Sequence, residues 1–262
     1  MPSFRIAAMK TLLIYDELVT LNRDQHRQLK LAPTEAKFAF ARGTNSVPLA
    51  ATELPLAALD FPCVFIGGGD GHSLAAIVGL RDNENLFVQP DGAWARGSYV
   101  PAFVRRYPFV LAEAEGDPAL TVCLDRSYAG LNTDKGEALF DADGNETPWL
   151  EEIKRFMLDF RQEMLASRDF ANHLAALELL QEGVIEYTVD GRKSTLRGFK
   201  TVNETKLRAL DGATLQDLSA RGWLGLIYAH LLSIRQVQRL ALRLEERRLL
   251  DSAERDVAPA MH

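Results

Sequence analysis

With 262 residues, 47% of them hydrophobic and 25% charged, the chain is long enough to bury a substantial core and too apolar to stay unfolded. Against 36 acidic side chains stand 30 basic ones, a formal charge of −6, which argues against a general nucleic-acid binder because phosphate contacts need a basic surface. No uncharged run reaches the roughly 18 residues of a membrane helix. The start "MPSFRIAAMKTLLIYDEL" lacks the apolar run and cleavage site of a secretory signal, so a cytoplasmic protein is expected.

Up to about Thr147 the chain is punctuated by Gly and Pro and reads as short strands. The candidates are "KFAFA" (37–41), "CVFIG" (63–67), "SLAAIVGL" (73–80), "NLFV" (85–88), "PFVLA" (108–112) and "ALTVCL" (119–124). Short helical turns fit "TELPLAALDF" and "VPAFVRR". Strict alternation of strand and helix is missing, which excludes a doubly wound nucleotide fold. Cys63 and Cys123 both lie in apolar runs and read as buried free thiols.

Beyond Thr147 the period changes. Thr147 suits a helix cap, Pro148 the first position, and Glu151 and Glu152 the first turn. Ile153, Phe156, Met157 and Phe160 follow at helical spacing, and "ANHLAALELLQEG" predicts a second helix ending at Gly183. "VIEYTVDGRKSTLRGF" alternates around Asp190-Gly191 and predicts a hairpin over 184–199. "NETKLRAL" and "TLQDLSARGW" are short helices. Trp223 to about Arg248 is predicted as one long amphipathic helix, with Leu224, Ile227, Leu231, Ile234, Val237, Ala241 and Leu244 inward. On its outside Arg235, Arg239, Arg243 and Arg247 form a ladder, either a solvated face or a grip for an acidic partner. The tail "DSAERDVAPAMH" reads as frayed.

Two stretches mimic ligand loops and depart from them in detail. "GGGDGH" (67–72) follows a strand, but His72 replaces the third glycine of a dinucleotide loop and no helix follows, so a hairpin loop is expected. "DADGNETPWLEE" (141–152) spaces acids as a calcium loop does, yet Glu146 stands where that loop requires glycine, and a turn plus helix cap explains the same residues. The five histidines form no metal-ligand spacing, and no G-x-S-x-G elbow occurs, so neither a metal nor a cofactor is expected. His230 falls near the inner face of the last helix and reads as a hydrogen-bonded core histidine.

The densest chemistry lies in "WARGSYVPAFVRRYPFVL" (94–111), with five aromatics, three arginines and two prolines. Arg105 and Arg106 are neighbours, so their side chains diverge and one can turn inward while the other meets solvent. An arginine stacked on Trp94 or Tyr107 would be rigid and partly desolvated, ready for a carboxylate, phosphate or sugar oxygen. The same residues could equally lock the sheet to the helical part. The candidate ligand-binding residues are Trp94, Tyr99, Arg105, Arg106 and Tyr107.

"VPLAATELPLAALDFPCVF" (47–65), "VGLRDNENLFV" (78–88), Trp94 with "YVPAFVRRYPFVL" (99–111), "CLD" (123–125), "ALFDADGNET" (138–147) and "RGWLGLIYAHLLSI" (221–234) together resemble the SapC family of bacterial proteins. The resemblance implies no catalytic residues. It brings a surface-layer association, and gene neighbours similar to flavin-dependent halogenase-like, cupin-like and outer-membrane receptor proteins.

The fold expected is α+β, a curved, mostly antiparallel sheet from the N-terminal half covered by helices from the C-terminal half. Residues 1–147 form the β-rich part and 148–262 the mainly helical part, in one cooperative domain. The function expected is a non-catalytic binding or accessory protein for a small anionic or carbohydrate-like ligand, or for a pathway partner such as a flavin-dependent halogenase-like protein. Two alternatives stand beside it: an enzyme whose site gathers Asp70, His72, Arg105 and His230, and a surface-layer or envelope component.

Overall fold

The computed structural model describes residues 13–68, 71–114 and 117–257, and the chain divides into two compact units. Unit one takes residues up to Ala41, Val88–Trp94 and Ala102–Gln162; unit two takes Arg42–Phe87, Ala95–Pro101 and the rest from Glu163. In chain order the first elements are β1 (Leu18–Thr20), α1 (Arg23–His26), β2 (Lys30–Leu31), β3 (Ser46–Pro48), α2 (Leu54–Ala57), β4 (Cys63–Gly68) and β5 (Gly71–Ile77). Next come α3 (Ala102–Arg105), β6 (Phe109–Ala114), β7 (Asp117–Asp125), β8 (Leu131–Asn132), β9 (Glu137–Ala138) and α4 (Pro148–Ala176). The last are β10 (Leu180–Glu182), β11 (Ile185–Val189), β12 (Arg192–Leu196), β13 (Lys200–Val202), α5 (Glu204–Arg208), α6 (Gly212–Ala220), α7 (Trp223–Ser233) and α8 (Val237–Val257). The class is α+β, with strands dominant early, helices dominant late, and every described strand pairing antiparallel.

Unit one holds two small sheets, in the orders β1-β7-β6 and β8-β2-β9. Val122 and Leu124 alternate along β7, so both reach one face, where they join Leu31, Phe109, Leu139, Phe140, Leu150 and Met157 in a buried cluster. Leu150 and Met157, two turns apart, are the contribution of the first half of α4, and burying them is what holds that helix on the sheet. Its start is built as the sequence predicts: the Thr147 hydroxyl oxygen accepts from the Leu150 N–H at 3.3 Å, with Pro148 at the first position.

Unit two holds a five-stranded sheet, β10-β13-β4-β5-β3, and the separate hairpin β11-β12. The β4–β5 hairpin pairs Cys63 with Ala76 through Gly68 with Gly71, as the hairpin reading of "GGGDGH" expects. Asp190 and Gly191 both take positive φ, 51° and 71°, the left-handed pair a two-residue hairpin turn needs. The Asp190 N–H donates to Glu245 on α8 at 2.8 Å, which anchors the turn.

Several predicted elements differ. "KFAFA" is a turn ending in a 3-10 helix, Ala39–Ala41; the Ala41 N–H bonds to the Phe38 carbonyl three residues back, a local bond that competes with strand pairing. "NLFV" is not a strand because the Asn85 side chain accepts from the Phe87 N–H at 2.9 Å and folds the backbone into a turn, leaving one bridge, Val88 to Trp94. "ANHLAALELLQEG" is not a second helix: its first residues finish α4, Glu178 takes the left-handed cap position at φ 54°, and Leu180–Glu182 turns into β10. Gly183 is therefore no helix cap; a Cβ there would meet the Phe199 ring at 2.2 Å. The long last helix is interrupted by a 3-10 turn at Ile234–Gln236, beginning where Ser233 turns its hydroxyl onto the β4 backbone. The tail is helical to Val257 rather than frayed from Asp251, and residues 258–262 lie outside the described ones.

Candidate functional site

The aromatic–arginine segment enters unit one at α3, bracketed by Pro101 and Pro108, with a cis Tyr107–Pro108 bond. Tyr107 stacks on Phe40 with centroids 3.7 Å apart and planes 15° from parallel. Tyr15 lies 5.5 Å away, and Tyr128 meets Tyr107 edge-on at 5.7 Å. Phe38 continues the cluster, 6.4 Å from Phe40 and 5.7 Å from Trp94. The 3-10 turn that displaces the predicted strand is what brings Phe38 and Phe40 here, and the Phe38 N–H fixes it by donating to the Gly92 carbonyl at 2.8 Å. Gly92 is required at that crossing: its φ is 82°, and a Cβ would stand 2.6 Å from that of Ala36. Trp94 and Tyr15 are buried, whereas Phe38, Phe40, Tyr107 and Tyr128 remain half-buried. Ring surface is thus left to solvent over a rigid base.

The two arginines diverge. Arg105 is exposed, its guanidinium 5.4 Å from the Phe156 ring. Arg106 turns in and is surrounded by Phe103, Phe160 and Tyr15 at 4.3, 5.5 and 5.6 Å. Burial holds its guanidinium below the usual range, opposed by Tyr15. Burial also pushes the Tyr15 phenol up to about 12, opposed by Arg106, and its hydroxyl donates to the Phe109 carbonyl at 2.7 Å. Arg106 therefore fastens the N-terminal segment, α3 and α4 within unit one. Ring faces carry part of that hold.

Beneath the rings lies Asp125, a fully buried carboxylate that the sequence marks only within the landmark "CLD". It accepts the N–H groups of Asp16, Glu17 and Ser127 at 2.8, 3.1 and 3.0 Å and the Ser127 hydroxyl at 2.7 Å. Burial alone would raise its pKa, but these donors outweigh it and hold the carboxyl below the ordinary value. The Tyr107 phenol is pushed up to about 12, first by burial, with Ser127 opposing and Asp125 adding to the rise.

Next to Tyr128 is an open depression of about 470 Å³, lined among others by Thr34, Gly130, Asn132, Asp134 and Lys135. The Tyr128 hydroxyl donates to the Ala32 carbonyl at 2.9 Å on its wall. Asn132 shapes its floor by accepting the N–H groups of Asp134 and Lys135 at 2.9 and 2.8 Å. Sequence reasoning missed Tyr15, Phe38, Phe40 and Tyr128, although the ring density of "KFAF" is visible there once it is not forced into a strand.

The remaining predicted residues lie in unit two. Tyr99 is a strut: its N–H donates to Asp60 at 2.8 Å and its hydroxyl to Glu53 at 2.9 Å, while Glu53 accepts the Ala50 N–H. His230 is fully buried, accepts the Val202 N–H at Nε2 (3.0 Å), and sets Nδ1 2.8 Å from the Cys63 carbonyl. Burial pushes its pKa down to about 4 against the pull of that carbonyl. The ring is a cross-link between α7 and two strands. The His72 backbone N–H donates to the Asn172 side-chain oxygen at 2.8 Å, and Asp70 lies outside the described residues. Both cysteines are buried free thiols, as expected.

In "DADGNE", Asp141 accepts the N–H groups of Asp143 and Asn145 at 2.9 and 2.8 Å, the turn that the sequence offered in place of a calcium loop. No helix among the described residues is long and apolar enough to cross a membrane.

A family model described as SapC matches residues 21–240, most of the chain. No curated protein and no solved structure gives a match.

Proposed function

The chain belongs to the SapC family, and from that premise we propose that it is a non-catalytic binding protein taking a carbohydrate-like ligand on unit one. The observation that carries the reading is the half-buried ring group of Phe40, Tyr107 and Tyr128 beside an open depression of mixed polar and apolar lining. Sugars present apolar C–H faces to aromatic rings and hydroxyls to polar rims, and Thr34 and Lys135 supply such a rim. Trp94 and Arg106 act as supports, Tyr107 as the contact, and Arg105 as an exposed charge for an acidic substituent. Tyr99 takes no part in this reading, because its polar groups serve Glu53 and Asp60. In the same reading the protein works in the cytoplasm as an accessory to a pathway enzyme, with a flavin-dependent halogenase-like protein as the candidate.

Trp94 is a built-in reporter. In a Trp149→Phe/Trp223→Phe background, titration with neutral and uronic-acid-bearing oligosaccharides is expected to change its fluorescence in a saturable way. Tyr107→Ala should weaken that binding at least about tenfold, the loss expected from one stacked ring. No saturable change at millimolar sugar, or binding unaltered by Tyr107→Ala in a folded protein, would overturn the reading.

A further inference from the structure

A second surface, independent of the ligand reading of unit one, lies on unit two where α2 meets α7 and the start of α8. Gln236 donates to the Ala58 carbonyl at 3.2 Å and Arg239 to the Leu59 carbonyl at 3.0 Å, so the end of α2 is fixed beside the α7–α8 junction. On these adjoining elements Leu56, Leu59, Tyr228, Leu232 and Leu242 are each between 45% and 67% exposed. Single exposed leucines are ordinary on a soluble surface; five large apolar side chains on contacting elements are not.

The exposed charges among them are basic. No acid occurs between Asp217 and Glu245, and none between Leu54 and Leu59. Arg235 and Arg239 are exposed among the leucines, and Leu242 lies on the same face of α8 as Arg239, three residues on. Neighbouring arginines are used internally: Arg243 sits 4.4 Å over the Phe87 ring and donates to Ser98, and Arg248 pairs with Asp190. The nearest acid on α2's flank, Asp60, is taken by the Tyr99 N–H.

We infer that this face docks an acidic segment of a partner protein, helical and carrying leucines at three- and four-residue spacing. Leucines would fill the apolar face while carboxylates meet Arg235 and Arg239. A second copy of this chain is disfavoured, because its identical face would bring arginines against arginines. An anionic bilayer is disfavoured as well: two exposed arginines supply too little attraction, and the chain as a whole carries a formal −6.

The test places a benzophenone amino acid at Leu232, and at Val184 as a control, in the full chain expressed in its own host, and sequences whatever peptide is cross-linked by light. The expected adduct at Leu232 is an acidic, leucine-spaced segment of another protein, absent at Val184. Arg235→Glu should cut its yield at least tenfold while thermal melts show the fold unchanged. Cross-linking to this chain, to lipid, or to a neutral or basic segment would overturn the inference. So would an equal yield at Val184, no adduct, or a yield that survives charge reversal.

Discussion

Arg106 of unit one and His230 of unit two are taken into their cores in opposite ways. Unit one surrounds a guanidinium with rings and leaves the outer rings of the same cluster half open to water. Unit two closes one central network completely: His230, Ser233 and the backbone of Cys63 satisfy one another with no exposed surface. A sealed network of this kind fixes one arrangement of helix and sheet and has nothing to offer a ligand. The rings that meet the guanidinium, Phe103, Phe160 and Tyr15, are buried, and Tyr107, packed against Tyr15, carries Phe40 and Tyr128 as the accessible outer rings. The difference directs a search for binding to unit one and a search for stability determinants to unit two.

The sharpest way to break the comparison is His230→Ala. It removes a ring packed edge-on against Phe65 and leaves the Val202 N–H without its acceptor, and urea denaturation should show a loss of about 4 kcal/mol. Followed through Trp223 in one single-tryptophan variant and Trp149 in another, the two midpoints should coincide, as one cooperative domain requires; separate midpoints would mean that the units unfold independently.

Acid tests the same ring without a mutation. His230 is neutral in the folded chain, with a pKa near 4, and takes up a proton near its ordinary 6.5 once unfolded. Its contribution is complete above 6.5 and falls away as pH drops from there toward 4, by roughly 3 kcal/mol. Equilibrium unfolding at pH 7 and pH 4 measures it, and His230→Ala should flatten that part of the profile. The Asp125 contribution, from a lowered carboxyl, fails only at more acidic pH.

In unit one Arg106→Ala should cost about 2 kcal/mol, from three ring contacts and the buried stem, while Arg105→Ala at its exposed neighbour should cost under about 0.5 kcal/mol. Equal losses would remove the distinction between an inward and an outward arginine. The smallest effect that still sharpens the picture is Gly191→Ala, which meets no neighbour within 4 Å and should cost about 1 kcal/mol from its positive φ alone. A thermal melt suffices to read it.

What could be read from the residues alone follows the range of the interactions that decide each element. Thr147-Pro148, Asp190-Gly191 and the β4–β5 hairpin are set by bonds within a few residues, and the sequence carries them in full. The strands β1, β2, β10 and β13 are two or three residues long and exist because a distant partner accepts them, so no periodicity marks them. "KFAFA" and "NLFV" carry strand-like composition, but a three-residue backbone bond and an asparagine side chain decide otherwise. For the site, the divergence of Arg105 and Arg106 was legible from adjacency. That Tyr107 would find Phe40 and Tyr128 was not, since those pairings span 67 and 21 residues of chain (107 − 40 and 128 − 107).

β1 pairs with β7, Leu18 opposite Asp125, and the hydroxyl of Tyr15 waits for the carbonyl of Phe109. During synthesis the earliest described strand of the protein is therefore an orphan until more than a hundred further residues have left the ribosome. Polypeptides released by premature termination before that point would display an apolar edge with no mate, and should be among the first species that chaperones and proteases remove.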